Sequence, residues 1–262
     1  MTSFLLALVL AASAQEPTPA VEKAPTPEEA AAAIAEALKG DDVALAQGVL
    51  KNQGTIESPL VVDAIAPALK HADPLLRAAA VMALRFNKNP SATEVLLKQK
   101  GNKKLLDEPA CAEAYMYALG QKRDKRALPI LKEGLVVTGS IHGKVLTAKL
   151  YALGRIRDKE SCEILMDFLN SAVFRVEQYM VEVRMSMAVL TGMDQGEDRR
   201  DWLKWWNDSK SKLKMIAEEP PLPDAAAKRK WTSLWMSPEE IEAERKARRE
   251  KGAKDEEKPE KP

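Results

Sequence analysis

Few side chains in this sequence suit catalysis, and their spacing keeps them apart. Two histidines, His71 and His142, and two cysteines, Cys111 and Cys162, are all that 262 residues supply for zinc ligation or for Cys/His and Ser/His chemistry. The histidines are two repeat lengths apart, and neither has a cysteine or carboxylate at metal-ligand spacing. A carboxylate group at Asp194, Asp198 and Asp201 surrounds Gly196. A calcium loop needs its glycine after the third acidic position, and here it falls between the first two, so a capped turn is the better reading. No catalytic, cofactor-binding or metal set emerges, and a non-enzymatic protein is expected.

Aromatic and charged recognition remains. Trp202, Trp205 and Trp206 recur at i, i+3 and i+4 and therefore share one helix face. They either seal the end of a hydrophobic stack or present an aromatic binding patch. Lys228-Arg229-Lys230 precedes Trp231 and Trp235. This basic-aromatic segment suits an anionic membrane surface, a nucleic acid or an acidic protein face, or it folds back onto the body through its tryptophans. These eight residues are the candidate partner-binding positions. With 40 Lys+Arg against 39 Asp+Glu, the chain lacks the basic excess of a dedicated nucleic-acid binder, so protein partners are expected and nucleic acid is not.

The elements that must position these residues are read from an internal repeat. Tyr117-Ala118-Leu119-Gly120, followed by Arg123-Asp124-Lys125, returns 34 residues later as Tyr151-Ala152-Leu153-Gly154 with Arg157-Asp158-Lys159. The leucine column extends through Leu50, Leu84, Leu119, Leu153 and Leu190 in steps of 34, 35, 34 and 37. Val49, Ala83, Ala118, Ala152 and Val189 stand one residue earlier, and Leu45, Ala79, Ala114, Ala148 and Met185 five earlier. The last two columns are i and i+4 on one helix face, and their small residues permit close helix approach. Gly120 and Gly154 are expected at left-handed C′ positions, and Asp124 and Asp158 at the next N-caps. The resulting fold class is all-α, with five helical pairs. Their expected spans are 28–39 with 42–52, 58–71 with 74–86, 91–100 with 108–119, 125–136 with 143–153, and 160–170 with 174–190. An end helix is expected near 198–213. In this register both cysteines take core columns in different layers about 10 Å apart. That exceeds disulfide reach, so two buried free thiols are expected.

Composition marks the borders. The apolar run Phe4–Ala12 followed by Ala12-Ser13-Ala14 is expected to be a signal peptide over 1–14, with a short apolar anchor as the other reading. No stretch is long enough to span a bilayer. Residues 15–27 form a Pro-rich linker, 28–213 the folded body, and 214–262 a charged, Pro-containing tail. Within the tail, Ser237-Pro238-Glu239-Glu240 is a helix start with Ser at N-cap, Pro at N1 and Glu at N3. The run after it has almost no apolar face and is either a solvated helix or disordered.

The repeats resemble HEAT repeats, in particular the short phycobilisome-lyase-type kind. The likeness is carried by Ala64–Leu84, with its proline-containing first helix, Asp73-Pro74 turn, Leu76-Arg77 pair and Ala-rich second helix, and by Arg123–Leu131. Arg85 and Phe86 depart from it where a glycine belongs, and Ala112 and Leu146 stand where the first match has Arg77. Leu190-Thr191-Gly192 before Trp202 resembles the closing segment of exported bacterial HEAT-repeat proteins. The resemblance implies an α-solenoid with a Trp-rich cap, exported to the periplasm or secreted, acting as a scaffold that binds protein through a groove lined by second helices. Two other implications stay open. One is a lyase-like or other enzyme accessory protein. The other is an envelope-associated structural protein whose tail makes peripheral contact.

Overall fold

The computed structural model describes residues 24–136, 142–171, 176–215, 218–220, 222 and 224–256, with side chains through 250. The expected signal peptide (1–14) and most of the 15–27 linker lie outside the described residues. Every regular element among them is helical. The order begins α1 (Pro27–Ala37), α2 (Val43–Gln53), α3 (Pro59–Ile65), α4 (Pro74–Phe86), α5 (Pro90–Leu97), α6 (Lys103–Leu106) and α7 (Pro109–Lys122). It continues with α8 (Leu128–Lys132), α9 (Gly143–Arg155), α10 (Lys159–Asn170), α11 (Met180–Thr191), α12 (Arg199–Ser209), α13 (Ala225–Trp235) and α14 (Pro238–Glu256).

Local chemistry sets most of these starts. Asp42, Asp73, Asp158 and Asp198 each accept a backbone N–H of the first turn through a carboxylate oxygen. Thr26 and Glu29 form a reciprocal capping box. Pro27, Pro59, Pro74, Pro90 and Pro109 each open a helix, where a missing N–H costs nothing.

Prolines also shorten the first helix of two pairs. The expected 58–71 helix is α3 followed by a 3-10 turn at Ala66–Lys70, because Pro67 has no N–H and crowds the preceding turn. The expected 125–136 helix is a 3-10 turn at Lys125–Ala127 and then the five-residue α8, which contains Pro129. Asn102 starts an additional helix, α6, that the repeat pattern does not announce.

The second helices α2, α4, α7, α9 and α11 pack one on the next in chain order. The repeated leucines form the seam between layers: Leu50, Leu84, Leu119, Leu153 and Leu190 are all at most 1 % exposed. The column that starts at Leu45 is less uniform. Ala148 is fully buried, whereas Leu45 is 58 % exposed because α2 begins the row and no earlier second helix covers it.

The repeated glycines serve a purpose other than the expected one. Gly120 and Gly154 lie inside α7 and α9, and the left-handed residue at the end of α7 is Arg123 (φ 54°). A Cβ on Gly120 would stand 2.7 Å from the Cα of Ala152, and one on Gly154 would stand 2.7 Å from the Cα of Ser186. These glycines are contact points between successive second helices. Gly192 (φ 73°) does end α11 in the left-handed region.

The sequence period reappears in hydrogen bonds between units. The Asn87 amide donates to Gly54 O (2.9 Å) and Ile56 O (2.8 Å). The Asn102 amide donates to Leu69 O (2.9 Å), and Ser186 Oγ to Leu150 O (2.9 Å). Lys122 donates to Asn87 O, and Arg157 to Val189 O (2.9 Å). Each bond joins one unit to its neighbour, and all but the Ser186–Leu150 bond reach carbonyls that the end of a helix or turn leaves open. Asn87 is fully buried and also accepts the Asn89 N–H (2.9 Å). Asn87→Ala is therefore expected to cost about 2 kcal/mol, since it leaves buried carbonyls without donors. Urea denaturation checks this, and a loss within 0.5 kcal/mol (~ the scatter of a neutral surface change) would show that the bonds contribute little.

Candidate functional site

The most elaborated constellation lies where the tail crosses the row of second helices. Asp224 caps α13 by accepting the N–H groups of Ala226 (3.2 Å) and Ala227 (2.8 Å). Met236 and Ser237 alone separate α13 from α14, whose start is the expected capping box: Glu240 N–H donates to Ser237 Oγ (3.2 Å), and Ser237 N–H to the Glu240 carboxylate (2.7 Å). The described α14 side chains pair through Arg245–Glu242 and Arg248–Glu244 at 3.9 Å, which is how a helix with no apolar face is laced.

The crossing runs the length of the row. Leu222 and Ala227 line a cavity of about 390 Å³ with Arg184, Met185 and Ala188 of α11. Trp231 meets Tyr151 of α9 edge-on, with ring centres 6.2 Å apart. Trp235 meets Tyr117 of α7 in the same way at 5.9 Å. The two indoles, 5.5 Å apart, complete a cluster with Met185 and Val189, separate from the main core. Arg85 of α4 donates to Leu234 O. Beyond it, Pro238 and Glu239 reach Gln47 and Lys51 of α2 and Met82 and Phe86 of α4 around a cavity of about 260 Å³. Both tryptophans are 5 % exposed.

Sequence geometry explains why the pieces fit. Tyr117 and Tyr151 occupy the same register on neighbouring helices, so they form an aromatic shelf one layer wide. Trp231 and Trp235 are four residues apart, which places both indoles on one side of α13. Gly120 leaves the hole that Trp235 fills: a Cβ there would stand 2.9 Å from the indole.

Cations surround this cluster. The Arg85 guanidinium lies 4.9, 5.3 and 5.6 Å from the ring centres of Phe86, Tyr117 and Trp235, and Arg155 lies 5.3 Å from Trp235. Such stacking stabilises most when water is excluded. Burial pushes Arg85 down to about 10, which leaves it charged at neutral pH. Glu219 bridges Arg155 and Arg123, the latter at 3.5 Å, and its second oxygen is 3.4 Å from the Trp231 indole N–H. Arg155 is lowered by burial and partly restored by Glu219.

Where α4, α7 and the start of α14 meet, a cavity of about 870 Å³ is lined by Arg85, Lys88, Lys122, Glu57, Glu239 and Glu240 among others. Burial lowers Lys122 to about 8. The unfolded chain therefore binds more protons than the folded one between about pH 8 and the ordinary lysine value, and stability rises with pH across that window. Wild type is expected to gain stability relative to Lys122→Gln from pH 8 to 10 in denaturant titrations. A flat difference would show that Lys122 is not desolvated.

The other candidate residues sit elsewhere. Trp202 is fully buried in the main core, and its indole N–H donates to Gly196 O (2.8 Å). Trp205 meets it edge-on at 5.8 Å, and Trp206 lies 6.1 Å from Trp205; both are partly buried against the same core. The eight candidates thus divide into two groups. Lys228 and Arg229 are exposed on α13, and Lys230, also exposed, faces the row with its ammonium 5.4 Å from the Tyr151 ring centre.

The groups considered for chemistry are occupied locally. Asp194 accepts the Gly196 N–H (2.9 Å) and pairs with Arg184 (2.8 Å), and Asp198 caps α12. His71 Nδ1 accepts the Asp73 N–H (3.0 Å). Cys111 and Cys162 are free and buried, and burial pushes Cys162 up to about 12. Among the described residues no group of three or more His, Cys, Asp or Glu could hold a metal, and no helix is long and apolar enough to cross a membrane.

Sequence reasoning missed Arg85, Tyr117, Tyr151, Arg155, Glu219 and Gly120 as parts of one site. The available signal was the duplicated Tyr-Ala-Leu-Gly, which sets two tyrosines side by side, together with a W-x3-W step in the tail. No family model matches this chain, and no curated protein matches it.

Proposed function

We propose that this chain is an exported, non-catalytic α-solenoid of HEAT-like helical pairs that acts as a scaffold and binds protein partners along the row formed by α2, α4, α7, α9 and α11. The carrying observation is that this row already accommodates a helix, α13, through an aromatic shelf, a glycine gap and arginines at helix ends. A surface built to hold one helix crosswise is suited to hold others. The Trp202 cluster serves as the cap that covers the last layer.

A photo-crosslinking residue in the full-length protein tests the reading. Placed at Lys51, on the second-helix row, it is expected to yield discrete protein adducts in the producing cell. Placed at Asp63, on a first helix, it is expected to yield none of them. The same adducts from both positions, or none from Lys51, would sink the scaffold reading.

A further inference from the structure

We infer that the second-helix row is a docking site for a helical segment that presents two aromatic side chains four residues apart and a carboxylate upstream, and that residues 218–236 of the chain hold this site as a tethered competitor. The inference rests on the scaffold reading above and specifies the ligand it takes.

Three observations carry it. The shelf of Tyr117 and Tyr151 with the Gly120 gap is shaped to two indoles, not to general apolar contact. The helix-end cations Arg123 and Arg155 share one carboxylate, Glu219, which comes from the tail and not from the body. The tail is held from one side only: Trp231 and Trp235 are buried against the row, whereas Lys228, Arg229 and most described α14 side chains are exposed. Leu213 and Met215 pack against the main core, and the nine positions 216–224 that follow them reach up to about 30 Å when extended, at roughly 3.4 Å per residue. The tail can therefore leave the site while the body stays folded. A short tether gives the tail an effective concentration of about millimolar, so an incoming segment binds with an affinity reduced by the fraction of time the site is closed.

The closing experiment uses full-length protein and a fluorescein-labelled peptide with the sequence of residues 218–236. Binding is read by anisotropy against wild type, Trp231→Ala/Trp235→Ala and Trp231→Phe/Trp235→Phe. The alanine pair is expected to bind the peptide at least tenfold more tightly than wild type, and the phenylalanine pair to stay near wild type. A peptide carrying Glu219→Lys is expected to bind the alanine pair at least fivefold more weakly than its parent. Circular dichroism is expected to show the same body helicity in all three proteins, because Trp231 and Trp235 lie outside the main core. Equal peptide affinity for the three proteins, or no binding to the alanine pair, would overturn the inference. So would release of the tail by phosphatidylglycerol vesicles without peptide binding, since the occupant would then be a lipid surface. Adducts from Lys51 persist in any of these cases if the scaffold reading alone is right.

Discussion

Trp202→Ala is expected to lower the unfolding free energy by about 4 kcal/mol, the upper range for deleting a buried aromatic side chain. Trp202 is fully buried, stacks edge-on with Trp205 and donates its indole N–H to Gly196 O. Truncation leaves a cavity under α12 and a carbonyl without its donor. Trp202→Phe keeps most of the volume and is expected to lose about half as much, because only the hydrogen bond and part of the packing go. Guanidinium unfolding followed by circular dichroism measures both. A loss below about 1 kcal/mol for the alanine variant, the typical cost of an average substitution, would show that α12 is not integral to the body. The same variant leaves the Trp231–Trp235 cluster in place, so its effect is on stability and not on tail docking.

Gly154→Leu is expected to cost about 3 kcal/mol, the upper range for overpacking. A Cβ at this position meets the Cβ and Oγ of Ser186 at 2.6 Å and its Cα at 2.7 Å. The Cα is backbone, so α9 and α11 must move apart and the Ser186–Leu150 bond must stretch. Leucine gains roughly 0.8 kcal/mol of helix propensity over glycine, which is too small to offset this. Gly48→Ala provides the opposite case. Gly48 is also inside a helix, but nothing stands within 4 Å of its would-be Cβ. This change is expected to stabilise the protein by up to about 1 kcal/mol through the unfolded chain and helix propensity. Thermal unfolding of the two variants side by side checks the pair. If Gly154→Leu leaves the midpoint unchanged or raises it, the close approach of α9 and α11 is wrong. Gly120→Leu is expected to behave like Gly154→Leu and also to evict Trp235, seen as a red shift in tryptophan emission.

These glycines show what could be read from the residues and what could not. The position of Gly120 and Gly154 was legible from the repeat, yet the reason for them was not. A glycine near a helix end satisfies a turn or a close contact equally well on paper, and only the neighbouring helix decides between them. Helix starts were legible because their chemistry is local: Asp124, Asp158 and Ser237 accept the N–H groups expected of them. The interruption at Pro67 was legible in principle too, because a proline inside a helix has no N–H to give to the preceding turn. The long-range placement of the tail was not, because nothing in Lys228–Trp235 distinguishes a helix docked on its own body from one docked on something else. The duplicated tyrosines decide it, and they lie at least 77 residues before that segment in the sequence.

The cross-unit bonds have a counterpart in the order of folding. They join residues 31 to 36 positions apart, as in Ile56–Asn87 and Leu150–Ser186, whereas the tail bond from Arg85 to Leu234 spans 149. Short closures are reached first, because chain entropy rises with the length of the loop to be closed. The body can therefore assemble by zippering from one unit to the next, in any direction. The tail then closes last and ties α4 to the far end of the row, so that units able to fray singly must open together. Refolding should accordingly show an early rise in helicity and a later, separate change in tryptophan emission as Trp231 and Trp235 reach their shelf.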